Sequence, residues 1–66
     1  MQLQKLKGKL KEMSKSYEDC ANAIGVTTTT FNAKMNGRTR FYIDELDALG
    51  NYLSMSQGEK ADIFLT

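Results

Sequence analysis

The chain has 66 residues, 41% of them hydrophobic, and a formal net charge of +1. This length suffices for one small domain, and the mean hydropathy of −0.46 is typical of a folded chain. With no His and a single Cys, the composition excludes a zinc cluster, a disulfide framework and a His-activated nucleophile. We therefore expect no metal, no cofactor and no enzyme activity, and a reducing, cytoplasmic setting. No stretch is long and apolar enough for a membrane helix, so no membrane partner is expected.

Charged residues are distributed unevenly along the chain. Residues 1–43 hold eight basic and three acidic side chains, a net of +5, whereas residues 44–66 hold one base and five acids, a net of −4. We expect one basic side that can face a polyanion and one acidic side that faces solvent or a partner. The alternative is a lysine-rich helix that is simply well solvated.

Two helices are predicted in the first part of the chain. The first, over 2–13, has apolar residues at helical spacing, namely Leu3, Leu6, Leu10 and Met13. The second, over 17–24, follows a capping-box pair, Ser16 and Asp19, and ends at Gly25, which suits a tight turn. Its inward face is Tyr17, Cys20, Ala21 and Ile24.

The segment 26–43 has features of both a hairpin and a helix. A run of β-branched residues and the pair Asn36-Gly37 favour a hairpin. That hairpin would have apolar side chains on both faces, which a half-buried hairpin does not tolerate. A helix over 28–36 instead has Thr27 as its N-cap and Gly37 just after its end. We therefore predict a helix here.

Two more helices complete the predicted fold. One, over 43–53, has an acidic first turn and an apolar stripe formed by Ile43, Leu46, Leu49 and Leu53. The last, over 57–65, follows a second capping box from Ser56 to Glu59. The predicted fold class is all-α, a compact five-helix bundle that forms a single domain over 1–66 and contains a helix-turn-helix.

The third predicted helix has an apolar inner face and a polar outer arc. Phe31 and Met35 lie four residues apart and face inward. The outer arc is Thr28, Thr29, Asn32, Ala33 and Asn36. Such side chains suit base edges, because Asn pairs with adenine and Thr donates, accepts or contacts a thymine methyl. Neighbouring lysines and arginines would contact phosphates, which position a protein without specifying sequence.

Residues 16–38 read S-Y-E-D-C-A-N-A-I-G-V-T-T-T-T-F-N-A-K-M-N-G-R. This stretch resembles the helix-turn-helix of the phage repressor and Cro-like family. The matching residues are Ala21, Gly25, Val26, Thr27, Thr30, Phe31, Asn36, Gly37 and Arg38. The five-helix length and the closing segment 59–65 extend the resemblance over nearly the whole chain. The chain departs from the family pattern at four positions. Tyr17 stands where Gln is common, and Cys20 where Leu is usual. Lys34 and Met35 stand in the reverse of the usual order, in which the apolar residue comes first.

The resemblance implies roles for individual side chains. Base readout is expected from Thr28, Thr29, Asn32 and Ala33. Phosphate contacts are expected from Tyr17, Thr27, Lys34, Asn36, Arg38 and Arg40. For Tyr17, packing in the domain is an equal alternative to a phosphate contact.

The expected function is sequence-specific binding of duplex DNA, as a phage or prophage transcriptional regulator associated with the nucleoid of a bacterial host. A homodimer is expected, since one module of this size makes few contacts with an operator. The C-terminal helices are the expected interface because Tyr52, Ile63, Phe64 and Leu65 exceed what so small a core needs. Two alternatives are the DNA-binding part of a longer repressor and a protein-binding modulator that uses this fold to bind a repressor.

Overall fold

The computed structural model describes residues 1–66, which form five helices and no strand. The helices are α1 (Leu3–Glu12), α2 (Tyr17–Ile24), α3 (Thr28–Met35), α4 (Ile43–Tyr52) and α5 (Gln57–Phe64). The all-α prediction is confirmed, and every helix end lies within one residue of its predicted place. The longest helices have ten residues, about half the length that a bilayer requires.

Local side-chain hydrogen bonds begin α2 and α5 where the sequence predicts them. At α2, Ser16 Oγ accepts the N–H of Asp19 at 3.0 Å, and the Asp19 carboxylate accepts the N–H of Ser16 at 2.9 Å. Ser56 and Glu59 repeat this arrangement at α5, at 3.1 and 3.2 Å. Both predicted capping boxes are confirmed. The backbone and hydroxyl hydrogen bonds of Ser16 lower the pKa of Asp19 below its ordinary value.

The core forms around Phe31, whose side chain is fully buried. Its ring packs edge-on against Tyr17 and Phe41, with ring centres 5.4 and 5.8 Å away. The other buried apolar residues are Leu6, Leu10, Cys20, Ala21, Met35, Leu49, Leu53, Met55 and Ile63. Burial raises the pKa of the Cys20 thiol to about 11, so this side chain acts as a small apolar residue.

Two apolar residues lie elsewhere than predicted. Ile43, expected to face inward, is 78% exposed, because it begins α4 beside an open groove between α4 and α5. Ile63, expected to be surplus to the core, is instead buried within it. The start of α1 packs against α5 there, and the N–H of Gln2 donates to the Ile63 carbonyl at 2.7 Å.

Candidate nucleic-acid interface

The turn between α2 and α3 is three residues long and contains a glycine, as turns in helix-turn-helix motifs often do. Gly25 ends α2 in the left-handed region, at φ 79° and ψ 30°, where a residue with a Cβ is strained. Thr27 then caps α3, and its Oγ1 accepts the N–H of Thr30 at 3.1 Å. Thr27 is thus the N-cap that the sequence predicts. The hairpin alternative for this segment is wrong.

α3 has the two faces expected of it. Phe31 and Met35 are fully buried against the rest of the domain. The exposed outer residues are Thr28, Thr29, Asn32 and Asn36. Ala33, the fifth member of the predicted arc, is half-buried. The polar arc is therefore accessible along most of the helix, and its role in base readout stays a prediction.

α3 ends in a hydrogen-bonded reversal that directs the chain into an exposed loop. Gly37 has φ 78°, its N–H donates to the Lys34 carbonyl at 3.2 Å, and the N–H of Arg38 donates to the Ala33 carbonyl at 2.9 Å. This pair of bonds is a Schellman motif, and it fixes the exit direction of the chain. Arg38 and Arg40 follow, both exposed and neither within 4.0 Å of a carboxylate.

Lys34 does not belong to this exposed surface, contrary to its predicted role as a phosphate contact. Its side chain is 5% exposed, and its Nζ lies 2.9 Å from Glu45 Oε1 and 2.7 Å from the Arg40 carbonyl oxygen. The reason is its position, since Lys34 lies three residues after Phe31 and so about 60° from it on the helix. A phosphate would have to break this pair to reach the ammonium.

Tyr17 and Thr27, at the edge of the candidate interface, both make contacts with other residues of the chain. Tyr17 is half-buried with its ring against Phe31, which is the packing alternative that the sequence left open. The hydroxyls of Thr27 and Thr30 are hydrogen-bonded to each other at 2.9 Å. Rotation of the Thr27 hydroxyl would free its proton for a phosphate.

The expected segregation into a basic and an acidic side is only partly present, because α1 packs against α5. Lys5 pairs with Asp62 at 2.9 Å, and Lys9 pairs with Glu59 at 2.9 Å. The hydrogen bond between Lys9 and Glu59 raises the pKa of the lysine and lowers that of the glutamate. These two lysines are thus neutralised by acids from the other half of the chain.

Sequence reasoning missed the Lys34–Glu45 pair. The available signal was a lysine on the inner face of α3 together with a glutamate in the first turn of α4. It also missed the exposure of Tyr42, which is 68% accessible at the end of the loop.

The surface formed by α3 and the loop after it combines exposed amide and hydroxyl groups with two unpaired guanidinium groups. Amides and hydroxyls hydrogen-bond to base edges, and guanidinium groups pair with phosphates. No match to this protein was found among protein-family models, curated proteins or solved structures.

Proposed function

We propose that this protein binds duplex DNA sequence-specifically, with α3 in the major groove, as a transcriptional regulator of the phage repressor and Cro-like kind. One observation carries the proposal: α3 exposes a polar face opposite Phe31 and Met35 and leads directly to the unpaired Arg38 and Arg40. A helix fits the major groove, which is about 12 Å wide. The site of action would be the nucleoid in the cytoplasm of a bacterial host.

The proposed roles follow the exposure of each side chain. Base edges would be contacted by Thr28, Thr29 and Asn32, with Ala33 limited to an apolar contact with a thymine methyl. Phosphates would be contacted by Thr27, Asn36, Arg38 and Arg40, and by the hydroxyl of Tyr17 at the rim. Lys34 is not included, because its charge is already paired.

Operator affinity would come from a homodimer formed across the groove between α4 and α5, which has a volume of about 210 Å³. Ile43 and Leu65 border this groove and are 78% and 79% exposed. Asp47 and Lys60 line the same groove, and neither forms an ion pair. In a two-fold interface each surface meets its own copy, so Asp47 of one protomer can pair with Lys60 of the partner.

The test is selection from a pool of random duplexes at about 100 mM salt, a concentration at which sequence-independent retention is already weakened. An enriched palindrome with half-sites about 34 Å apart would support a dimeric regulator and supply its operator. The variant Arg38→Ala/Arg40→Ala should lose affinity for every sequence. The matched control Lys7→Ala/Lys11→Ala removes the same charge from two α1 lysines that form no ion pair and should retain most of the affinity.

A selection without enrichment, with only salt-sensitive retention, would overturn the proposal. That result would favour the alternative function, a protein-binding modulator in which the outer arc or the acidic C-terminal half binds a repressor. Equal losses of affinity in the two double variants would also count against the assigned interface, because net charge alone would then explain the binding.

A further inference from the structure

Lys34 and Glu45 form an ion pair that the proposed DNA contacts do not use. The Lys34 Nζ and Glu45 Oε1 atoms are 2.9 Å apart, and the two side chains are only 5% and 11% exposed. Lys34 lies in the last turn of α3 and Glu45 in the first turn of α4. The pair therefore joins the two helices on either side of the interhelical loop, residues 36–42.

The same two side chains also hold the backbone of the interhelical loop. Lys34 Nζ donates to the carbonyl oxygen of Arg40 at 2.7 Å, and Glu45 Oε1 accepts the N–H of Tyr42 at 2.9 Å. The ammonium lies 4.8 Å from the centre of the Tyr42 ring and 5.8 Å from that of Phe41. These two hydrogen bonds attach the backbone at Arg40 and Tyr42 to the pair, so the path of the loop at residues 40–42 depends on it.

Both side chains of the pair have the partners that a buried charged group needs. A lysine is costly at an inward helix position unless its charge is both paired and hydrogen-bonded. Burial disfavours the charged form of Glu45, but the Tyr42 N–H and the Lys34 ammonium outweigh this effect and lower the pKa of Glu45. Glu45 is therefore ionised at neutral pH, and its charge faces that of Lys34.

We propose that Lys34 and Glu45 are positioning residues that hold the interhelical loop so that Arg38 and Arg40 face the DNA phosphates. The inference rests on the proposed DNA-binding function. A loop already held in its binding conformation loses less conformational entropy when the phosphates bind. Arg38 is fixed from one side by the Schellman motif, and Arg40 from the other by the bond from Lys34 to its carbonyl oxygen.

A double-mutant cycle distinguishes positioning from general stabilisation. The change Arg38→Ala/Arg40→Ala is made in the natural chain and in the Lys34→Met variant, and affinity for the selected duplex is measured over a range of salt. In the natural chain the double change should make the slope of log affinity against log salt shallower by about 1.8, or 0.9 for each lost phosphate contact. In the Lys34→Met background the slope should change by less than half as much.

An equal change of slope in both backgrounds would overturn the proposal, because a purely structural role leaves the two effects additive. Lys5→Met is the matched control, since it removes one lysine charge from the exposed Lys5–Asp62 pair and leaves the loop untouched. In a Lys34→Arg background, Arg38→Ala/Arg40→Ala should again change the salt slope almost as much as in the natural chain. The reason is that Lys34→Arg keeps the positive charge and the donor groups. Where Lys34→Met does not fold because Glu45 is left unpaired, Lys34→Met/Glu45→Gln replaces it and should show the same reduced slope change. This variant removes both buried charges and the bond to the Arg40 carbonyl oxygen.

Amide hydrogen exchange in the free protein tests the loop without DNA. Lys34→Met should exchange faster at the two hydrogen-bonded amides of the loop, those of Arg38 and Tyr42, with the protection of α1 and α2 unchanged, while Lys5→Met should leave both as they are. Unchanged loop exchange in Lys34→Met would overturn the positioning role. If the natural chain shows no salt-dependent binding to any duplex, the proposed function fails, and the exchange result still decides whether the pair holds the loop.

Discussion

Asn32 is the one amide side chain of α3 that is assigned to base readout. It is exposed, and its amide matches the adenine edge in the major groove. Asn32→Ala should therefore relax base preference at a single operator position, at a cost of about 1–3 kcal/mol for the preferred base. Affinities for operators with each base at that position, measured by titration, check this.

The control for Asn32 is Gln4→Ala, which removes an exposed amide from α1 and should leave the preference unchanged. Thr28→Ala should act like Asn32→Ala at a different operator position. Uniform loss over all sequences in Asn32→Ala would show a phosphate contact instead of base readout.

At the scale of the helix, substitutions of Thr27 should affect the stability of α3 and its DNA binding differently. Thr27→Ala removes the cap on the Thr30 N–H and should lower the free energy of unfolding by about 1 kcal/mol. Thr27→Asp keeps a capping oxygen and adds a charge that suits a helix start, so stability should stay within roughly 0.5 kcal/mol. The same carboxylate would face a phosphate and should lower DNA affinity more than about tenfold.

Urea unfolding and DNA titration of the same samples check this prediction for Thr27. Thr27→Ser, which retains the hydroxyl, is the control and should preserve both properties. Undiminished DNA affinity in Thr27→Asp would place the start of α3 away from the phosphates.

The contact between α1 and α5 should make stability depend on pH at both extremes. Hydrogen bonds from Lys9 and from the backbone lower the pKa of Glu59 below 4.5, so its contribution is present above this value and lost as the pH falls through the folded pKa. Lys9 has a raised pKa, so its contribution is lost only as the pH rises above 10.5. Urea unfolding from pH 2 to 11 should show a plateau between these limits.

Glu59→Gln should make the loss of stability in acid shallower than in the natural chain, since an amide does not titrate. Asp19 and Glu45, whose pKa values are also lowered, should contribute to the acid dependence that remains. An identical acid profile in Glu59→Gln would contradict the role given to the pair with Lys9.

At the scale of the whole molecule, the proposed dimer predicts how exchanging the charges of Asp47 and Lys60 changes self-association. Asp47→Lys should weaken self-association, because it places like charges opposite each other across the two-fold interface, and Lys60→Asp should do the same. The combination Asp47→Lys/Lys60→Asp restores opposite charges and should recover association. Sedimentation equilibrium at high micromolar concentration, with and without operator DNA, measures each step.

Ile43→Asp is the stronger test of the dimer surface, because it places a charge at an exposed apolar position without disturbing the core. It should give a folded monomer by circular dichroism and sedimentation. A natural chain that is monomeric even on operator-length DNA would contradict the dimer proposal.

Helix positions could be predicted because their determinants are local. Ser16 with Asp19, Thr27 with Thr30, and Gly25 at the turn act over three or fewer residues, and the structure shows all of them in place. The spacing of apolar residues correctly favoured a helix over a hairpin in the segment 26–43, because this spacing is also a local property of the sequence. The polar arc of α3 followed from Phe31 and Met35 facing inward.

The sequence by itself determined the five helices, the N-terminal caps of α2, α3 and α5, and the exposed polar face of α3, because these depend on neighbours along the chain. Only the tertiary structure decided which charges are free. Lys9 meets Glu59 across fifty residues, and Lys34 meets Glu45 across a loop, while Arg38 stays unpaired. Pairing and burial of a side chain depend on which helix packs beside it, and that partner is distant in sequence.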